Sequence, residues 1–361
     1  MKKFVAVALS ALLSVSLLAG CKGAKGASES ALESAPASAT PSAAESAPSE
    51  EPASSEQKTA GEKTAVRVAS LKGPTSIGLV KLMDDAEKGE AANDYSFTIA
   101  GTADEIVPKL VKGDLDLAAV PANLASVLYG KTQAGISVLA VNTLGVLYLV
   151  ETGDTIHSIA DLKGKTIYST GKGTTPEYAL NYVLSANGID PEKDLTVEYK
   201  SESTEVAALL SQGDNAIAML PQPYVATVQS KNDKVRIALN LTEEWDKVQG
   251  ENKSALITGV VIARNEFISE NPEALDAFLN EYQKSIAFAN DSLDESAALT
   301  EKYGIVPAAA IAKKAIPYCN ITFIEGTEMK EKLGGYLKTL FDQNPQSVGG
   351  ALPDDAFYFS R

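Results

Sequence analysis

The chain has 361 residues, with 32 lysines and arginines against 47 aspartates and glutamates, a single histidine and two cysteines. A formal charge of −15 excludes long-range attraction to nucleic acid, or to anionic lipid through a basic face. One imidazole cannot build a histidine metal cluster, and two cysteines of which one is expected to be lipidated leave no intrachain disulfide, so stability has to come from a buried core, which a chain of this length can supply.

Lys2 and Lys3 precede an apolar run from Phe4 to Ala19 that is broken only by serines and is too short to span a bilayer. Residues 1–20 therefore read as a secretory signal. The run ends in Leu18-Ala19-Gly20-Cys21, small residues leading straight into a cysteine, which resembles a bacterial lipobox, where the thiol is acylated and the peptide before it removed. With Cys21 lipidated, Cys319 has no partner for an intrachain disulfide. Removing 1–20 takes away two lysines and no acid, which moves the charge from −15 to −17. From Lys22 to about Thr64 nearly every residue is Ala, Ser, Glu, Pro, Gly or Lys, a composition that cannot bury enough apolar surface to fold. Residues 21–64 are expected to be a disordered tether with a mean reach of about 35 Å. It is either a leash of selected length or plain disorder.

The folded part carries an internal repeat. A shift of 100 residues pairs Lys72-Gly73 with Lys172-Gly173, Thr75 with Thr175, Asp94 with Asp194, Glu105 with Glu205, Leu110 with Leu210, Gly113-Asp114 with Gly213-Asp214, Ala118 with Ala218, and Pro121 with Pro221. Each copy predicts the same elements in chain order. A strand (66–70; 166–170) leads through a glycine loop into a helix (76–87; 176–186), then a second strand (95–100; 195–200). A short helix closed by Gly113 or Gly213 follows, then a third strand (115–120; 215–220), a proline and another helix. Strands alternating with helices imply parallel sheets with right-handed crossovers, and hence two similar α/β lobes.

After a strand at 137–141 the chain runs through Asn142-Thr143-Leu144-Gly145 into a strand at 146–151 and the second copy. After 235–239 it passes a polar stretch containing Trp245 and enters a strand at 255–263. Residues 265–361 read as successive helices (271–290, 293–303, 307–316, 326–341). Two extended crossings between two lobes form a hinge layout. The expected divisions are 65–146 plus 257–361 for lobe 1, closed by the helical C-terminal tail, and 147–256 for lobe 2.

In open parallel sheets ligands sit beyond the carboxyl ends of strands, where helix N-termini offer free N–H groups. The repeat places four such loops: Leu71 to Ser76, Pro121 to Asn123, Gly171 to Pro176, and Pro221 to Tyr224. If the lobes face one another, these loops line one cleft. The candidate ligand-binding residues are Lys72, Thr75 and Asn123 from the first lobe, Asn142 near the hinge, and Lys172, Thr174, Thr175, Gln222 and Tyr224 from the second. Thr175 followed by Pro176 reads as a helix cap. Gly171-Lys172-Gly173 lacks the spacing of a nucleotide-binding phosphate loop. His157 reads as a surface residue, Cys319 as a small, partly buried hydrophobe, and Asp84-Asp85 as a solvated helix face. Trp245 is open to two readings, core packing and ligand stacking. No catalytic residue, metal or cofactor is expected.

Ser158-Ile159-Ala160-Asp161-Leu162-Lys163-Gly164-Lys165-Thr166, leading into the second lobe, and Gly113-Asp114-Leu115-Asp116 in the first resemble ABC-transporter solute-binding proteins. The branch is the SsuA-like one whose members bind nitrate, sulfonates, taurine or thiamine pyrimidine precursors, and the similarity covers about 65–340. The resemblance implies the type II periplasmic-binding-protein fold, a membrane permease and an ATPase as partners, and no chemistry on the ligand. With the lipobox it implies a monomeric lipoprotein on the outer face of the cytoplasmic membrane. Lys72, Lys172 and open helix N-termini favour an anionic group. Glu177, in the first turn of its helix, already answers that dipole, so a larger organic anion or heteroaromatic ligand is favoured over a bare ion. A sensory receptor of the same fold, or an enzyme built on it, are the alternatives.

Overall fold

In the computed structural model, residues 63–212, 215–249 and 254–361 are described. The signal, Cys21, the tether up to residue 62 and Gly213-Asp214 lie outside them. The eleven described strands are β1 (Ala65–Leu71), β2 (Asp94–Ala100), β3 (Leu117–Pro121), β4 (Ile136–Leu144), β5 (Leu147–Glu151), β6 (Thr166–Ser169), β7 (Thr196–Tyr199), β8 (Ile217–Pro221), β9 (Arg236–Asn240), β10 (Ile257–Arg264) and β11 (Ile321–Ile324). They form a six-stranded sheet in the order β11-β4-β10-β3-β1-β2 and a five-stranded sheet in the order β7-β6-β8-β5-β9. Helices pack around both, giving the two similar α/β lobes that the repeat predicts and the type II periplasmic-binding-protein architecture that the resemblance implies.

The repeat is visible in the pairing. β2-β1-β3 and β7-β6-β8 stand in the same order with all neighbours parallel. In each sheet the third repeat strand pairs antiparallel with a strand that arrives from the other sheet. Gly259 of β10 faces Pro121, and Leu147 of β5 faces Pro221. The chain leaves the first sheet at the end of β4, crosses through Gly145-Val146 into β5, and later returns from the second sheet into β10. Both crossings are as expected.

Four local expectations change. The helix over 76–87 is split into Pro74–Ile77 and Val80–Glu87. The hydroxyl of Ser285 takes the bond that a continuous helix would make, accepting from the Leu82 N–H at 3.1 Å and donating to the Gly78 carbonyl at 2.6 Å. A side chain inserted into the backbone ladder breaks it there. The polar stretch around Trp245 is a helix, Leu241–Val248, capped by Asn240, whose Oδ1 accepts from Thr242 N and whose amide donates to Glu243. The tail is not helical throughout, since β11 adds an edge strand beside β4. On the helix Val80–Glu87, Asp84 is not solvated: it is 8% exposed and paired with Lys88 and Lys302.

All described residues belong to one compact unit, Lys58–Arg361. One apolar cluster runs continuously from the first sheet (Val120, Val141) through the second (Leu149, Ile167, Leu180) to the tail helix Gly326–Gln343 (Leu333, Tyr336). No helix among the described residues is long and apolar enough to cross a membrane.

Candidate functional site

The loop after β1 is set by its own hydroxyls. Thr75 donates to the Leu71 carbonyl at 2.9 Å and Ser76 to Ser70 Oγ at 3.0 Å, which holds Thr75 beside the end of the strand. Asn142, near the end of β4, donates to the Tyr282 hydroxyl at 3.0 Å and accepts from Thr143 at 3.1 Å. Burial raises the Tyr282 phenol above its ordinary value, with the Asn142 bond opposing, so the ring stays neutral. Between these two side chains lies Gly259. A Cβ there would come within 2.5 Å of Thr75 Cγ2 and 2.6 Å of Asn142 Oδ1, so the bare backbone is what lets them approach.

Asn123 stands in the first turn of the helix Ala122–Lys131, which leaves the end of β3. Thr175 begins the helix Thr175–Ala186 in the other sheet's territory. The Thr175 hydroxyl donates to Asn123 Oδ1 at 3.3 Å, so equivalent regions of the two repeats meet. Thr75, Asn123, Asn142, Thr175 and Gln222 are 7, 5, 1, 3 and 1% exposed, so all five polar side chains are buried.

The cap of the helix Thr175–Ala186 is Thr174, one residue earlier than expected. Thr174 is exposed, and its hydroxyl donates to the Gly171 carbonyl at 2.6 Å rather than to the helix. Glu177 accepts from the Gly173 N–H at 2.5 Å, which puts a carboxylate on that loop's amide. Gln222 accepts from Ala226 N at 3.2 Å and so serves the start of the helix Tyr224–Lys231.

Lys72 and Tyr224 line one cavity of about 370 Å³, together with Gly73, Ala207, Val228, Lys231 and Ile305. Its walls come from both repeats and are mostly apolar, with two lysines and no carboxylate among them. Burial, and secondarily Glu202, raises the Tyr224 phenol. Lys172 is exposed and is not among the residues lining this cavity.

Trp245 packs in the core. It is wholly buried, 4.5 Å from Tyr182 and 5.7 Å from Tyr336 between ring centroids. His157 is exposed beside Asp154, and Cys319 is completely buried, its thiol donating to the Ala315 carbonyl. Among the described residues no group of acidic, histidine and cysteine side chains is placed to hold a metal. Sequence reasoning missed Tyr336, Lys231 and Gly259. Tyr336 donates to Thr175 from a helix more than 150 residues away, a contact without local sequence signal.

The arrangement of two sheets exchanging antiparallel strands, with buried polar side chains where their strand ends meet, defines the class as a type II periplasmic-binding-protein fold. Residues 126–296 match the family model described as NMT1/THI5 like, in agreement with the family the sequence resembles. A "Putative binding protein" of Brucella abortus (strain 2308) is 28% identical over 211 residues, which is 58% of this chain and 61% of that protein. The matched stretch thus spans less than two thirds of that relative. Among solved structures, an ABC transporter protein from Parabacteroides distasonis superposes with a TM-score of 0.70 at 24% identity, covering 83% of this chain and all of that one. The periplasmic aliphatic sulphonate binding protein SsuA from Escherichia coli superposes with a TM-score of 0.65 at 18% identity, covering 83% and 93%. At these identities the likeness speaks for the fold.

The motifs that carried the resemblance turn out to be corners of the fold. Asp161 accepts from the N–H groups of His157 and Ser158 and from the Ser158 hydroxyl, which fixes the turn before β6. Asp116 takes the backbone N–H and the guanidinium of Arg67, tying β3 to β1. These residues hold the turns before strands and do not line the cavity of Lys72 and Tyr224.

Proposed function

We propose that this chain is the extracytoplasmic solute-binding subunit of an ABC importer, which takes a small organic anion between its lobes and passes it unchanged to a membrane permease served by an ATPase. The observation that carries this reading is a cavity whose walls come from both repeats, with Lys72 from the first and Tyr224 and Lys231 from the second; the buried Thr175–Asn123 bond, which also joins the repeats, supports it. Two lysines without a lining carboxylate favour an anionic end on the ligand. The apolar walls and the Tyr224 ring favour a body with flat or aliphatic surface, which weighs against a bare inorganic ion. Neighbours that include a sulphonate binding protein support the same class.

In this reading 65–146 plus 257–361 and 147–256 move as bodies, Cys21 carries the lipid, and the monomer is held at the outer face of the cytoplasmic membrane. The test is a melting screen over small carboxylates, sulfonates, phosphates and nitrogen heterocycles. A ligand at 100 times its Kd adds about 2.7 kcal/mol and raises the midpoint. A screen in which no member of these classes moves the midpoint, while the protein melts cooperatively, counts against it.

A further inference from the structure

We propose that the tail helix Gly326–Gln343 latches the two lobes together through Tyr336, so that the C-terminal segment sets how firmly the cleft closes. This rests on the reading above of two lobes that part and close. The bond chain has one consistent direction. The Tyr336 hydroxyl donates to Thr175 Oγ1 at 3.1 Å, the Thr175 hydroxyl donates its only proton to Asn123 Oδ1 at 3.3 Å, and the Asn123 amide donates to the Ser347 carbonyl at 3.1 Å. Tyr336, Thr175, Asn123 and Ser347 are 0, 3, 5 and 2% exposed, so water does not compete for these bonds. Burial raises the Tyr336 phenol above its ordinary value, with the Thr175 bond opposing, so the ring keeps its proton to donate.

The tail is fastened to the first sheet's side at several points. Ser126 donates to the Val348 carbonyl at 2.8 Å and Phe359 N to the Val138 carbonyl of β4 at 2.9 Å, while Tyr129 bonds Asp354. Thr175 is the one member of the chain from the second sheet. Two of the three bonds, Tyr336 to Thr175 and Thr175 to Asn123, therefore cross between lobes and must break on opening. The same movement would draw Tyr336 away from Trp245, whose helix Leu241–Val248 follows β9 of the second sheet.

Trp245 is the chain's one tryptophan, so its accessibility reports the latch directly. The experiment is acrylamide quenching of the ligand-free full chain. Tyr336→Phe keeps the ring over Trp245 and removes only the donor. Thr175→Val cuts both crossing bonds from the other lobe, and Thr175→Ser keeps them. A neutral hydrogen bond shifts a closed-to-open ratio by about two- to twelvefold. Quenching should rise by up to that factor in Tyr336→Phe, by more in Thr175→Val, and remain at the wild-type value in Thr175→Ser, with circular dichroism unchanged. Wild-type quenching in both Tyr336→Phe and Thr175→Val overturns the proposal, as does a wild type already as accessible as they are. If Thr175→Val fails to fold, Tyr336→Phe decides alone. Because no ligand is added, a flat result removes the latch and leaves solute binding standing, while a melting screen without a binder leaves these values unaffected.

Discussion

Glu151 is ionisable and fully buried at the end of β5, where Arg236 pairs with it and the N–H groups of Thr155 and Ile156 donate at 3.0 and 2.9 Å. Burial pushes its carboxyl up, but these donors, the Thr155 hydroxyl and the guanidinium together hold it below the ordinary value. A folded-state value below the unfolded one adds stability that is fully present above the unfolded value and is lost as pH falls through the folded one. Glu151→Gln should therefore lower unfolding stability at neutral pH by about 1–3 kcal/mol. The gap to wild type should narrow on acidification through the carboxylate range, and denaturant titrations at several pH values check it. A gap that stays constant would contradict the assignment. At the cavity, Lys72 has no ion pair among the described residues, so Lys72→Ala should leave melting of the empty protein unchanged. It should weaken an anionic ligand by about one to two decades, the worth of a charge-assisted bond. Lys172→Ala should cost less, because Lys172 lies outside that cavity; calorimetric titration of the two variants separates them. The repeat made these lysines equivalent in sequence. Which of them faces the cavity depends on how the loops fold, and in the second loop Glu177 has already taken the backbone amide that a ligand would use.

Among the elements, β10 packs closely against two of the candidate residues. A methyl group at Gly259 would strike Thr75 and Asn142 together. Gly259→Ala should cost about 1–3 kcal/mol of stability through overpacking. It should also reduce ligand affinity, since neither neighbour can keep its place; parallel melting and titration experiments would show both losses. Most strands and helices were legible because apolar period and turn residues agree, as in Val66 and Val68 of β1 or the left-handed Gly113 that ends the helix Val107–Lys112. Two elements were overlooked although their signals exist. Asn240 with Glu243 is a cap pattern opening the helix that holds Trp245, and Ile321-Thr-Phe-Ile is a β-rich run inside an otherwise helical tail. The break at Gly78 had no local signal, because the Ser285 hydroxyl that causes it comes from a helix some 200 residues away.

For the molecule as a whole, the 100-residue repeat was the most informative feature of the sequence, since it predicted two sheets built on the same strand order, as the structure has them. What it could not convey is the role of the tail. Tyr336 and Ser347 reach Thr175 and Asn123 only after the chain has closed around both sheets, and a continuous apolar cluster joins the two lobes there. The aromatic contacts of Trp245 follow from the same closure. Hydrogen exchange of the full chain, with and without the best binder from the melting screen, tests solute capture between the lobes most directly. Amides of the non-proline residues in 71–76, 121–123, 171–176 and 221–224 should slow together on binding, drawing protection from both sheets at once. Protection confined to one sheet, or absent from all four loops while the ligand is bound, would contradict a ligand held in the cleft.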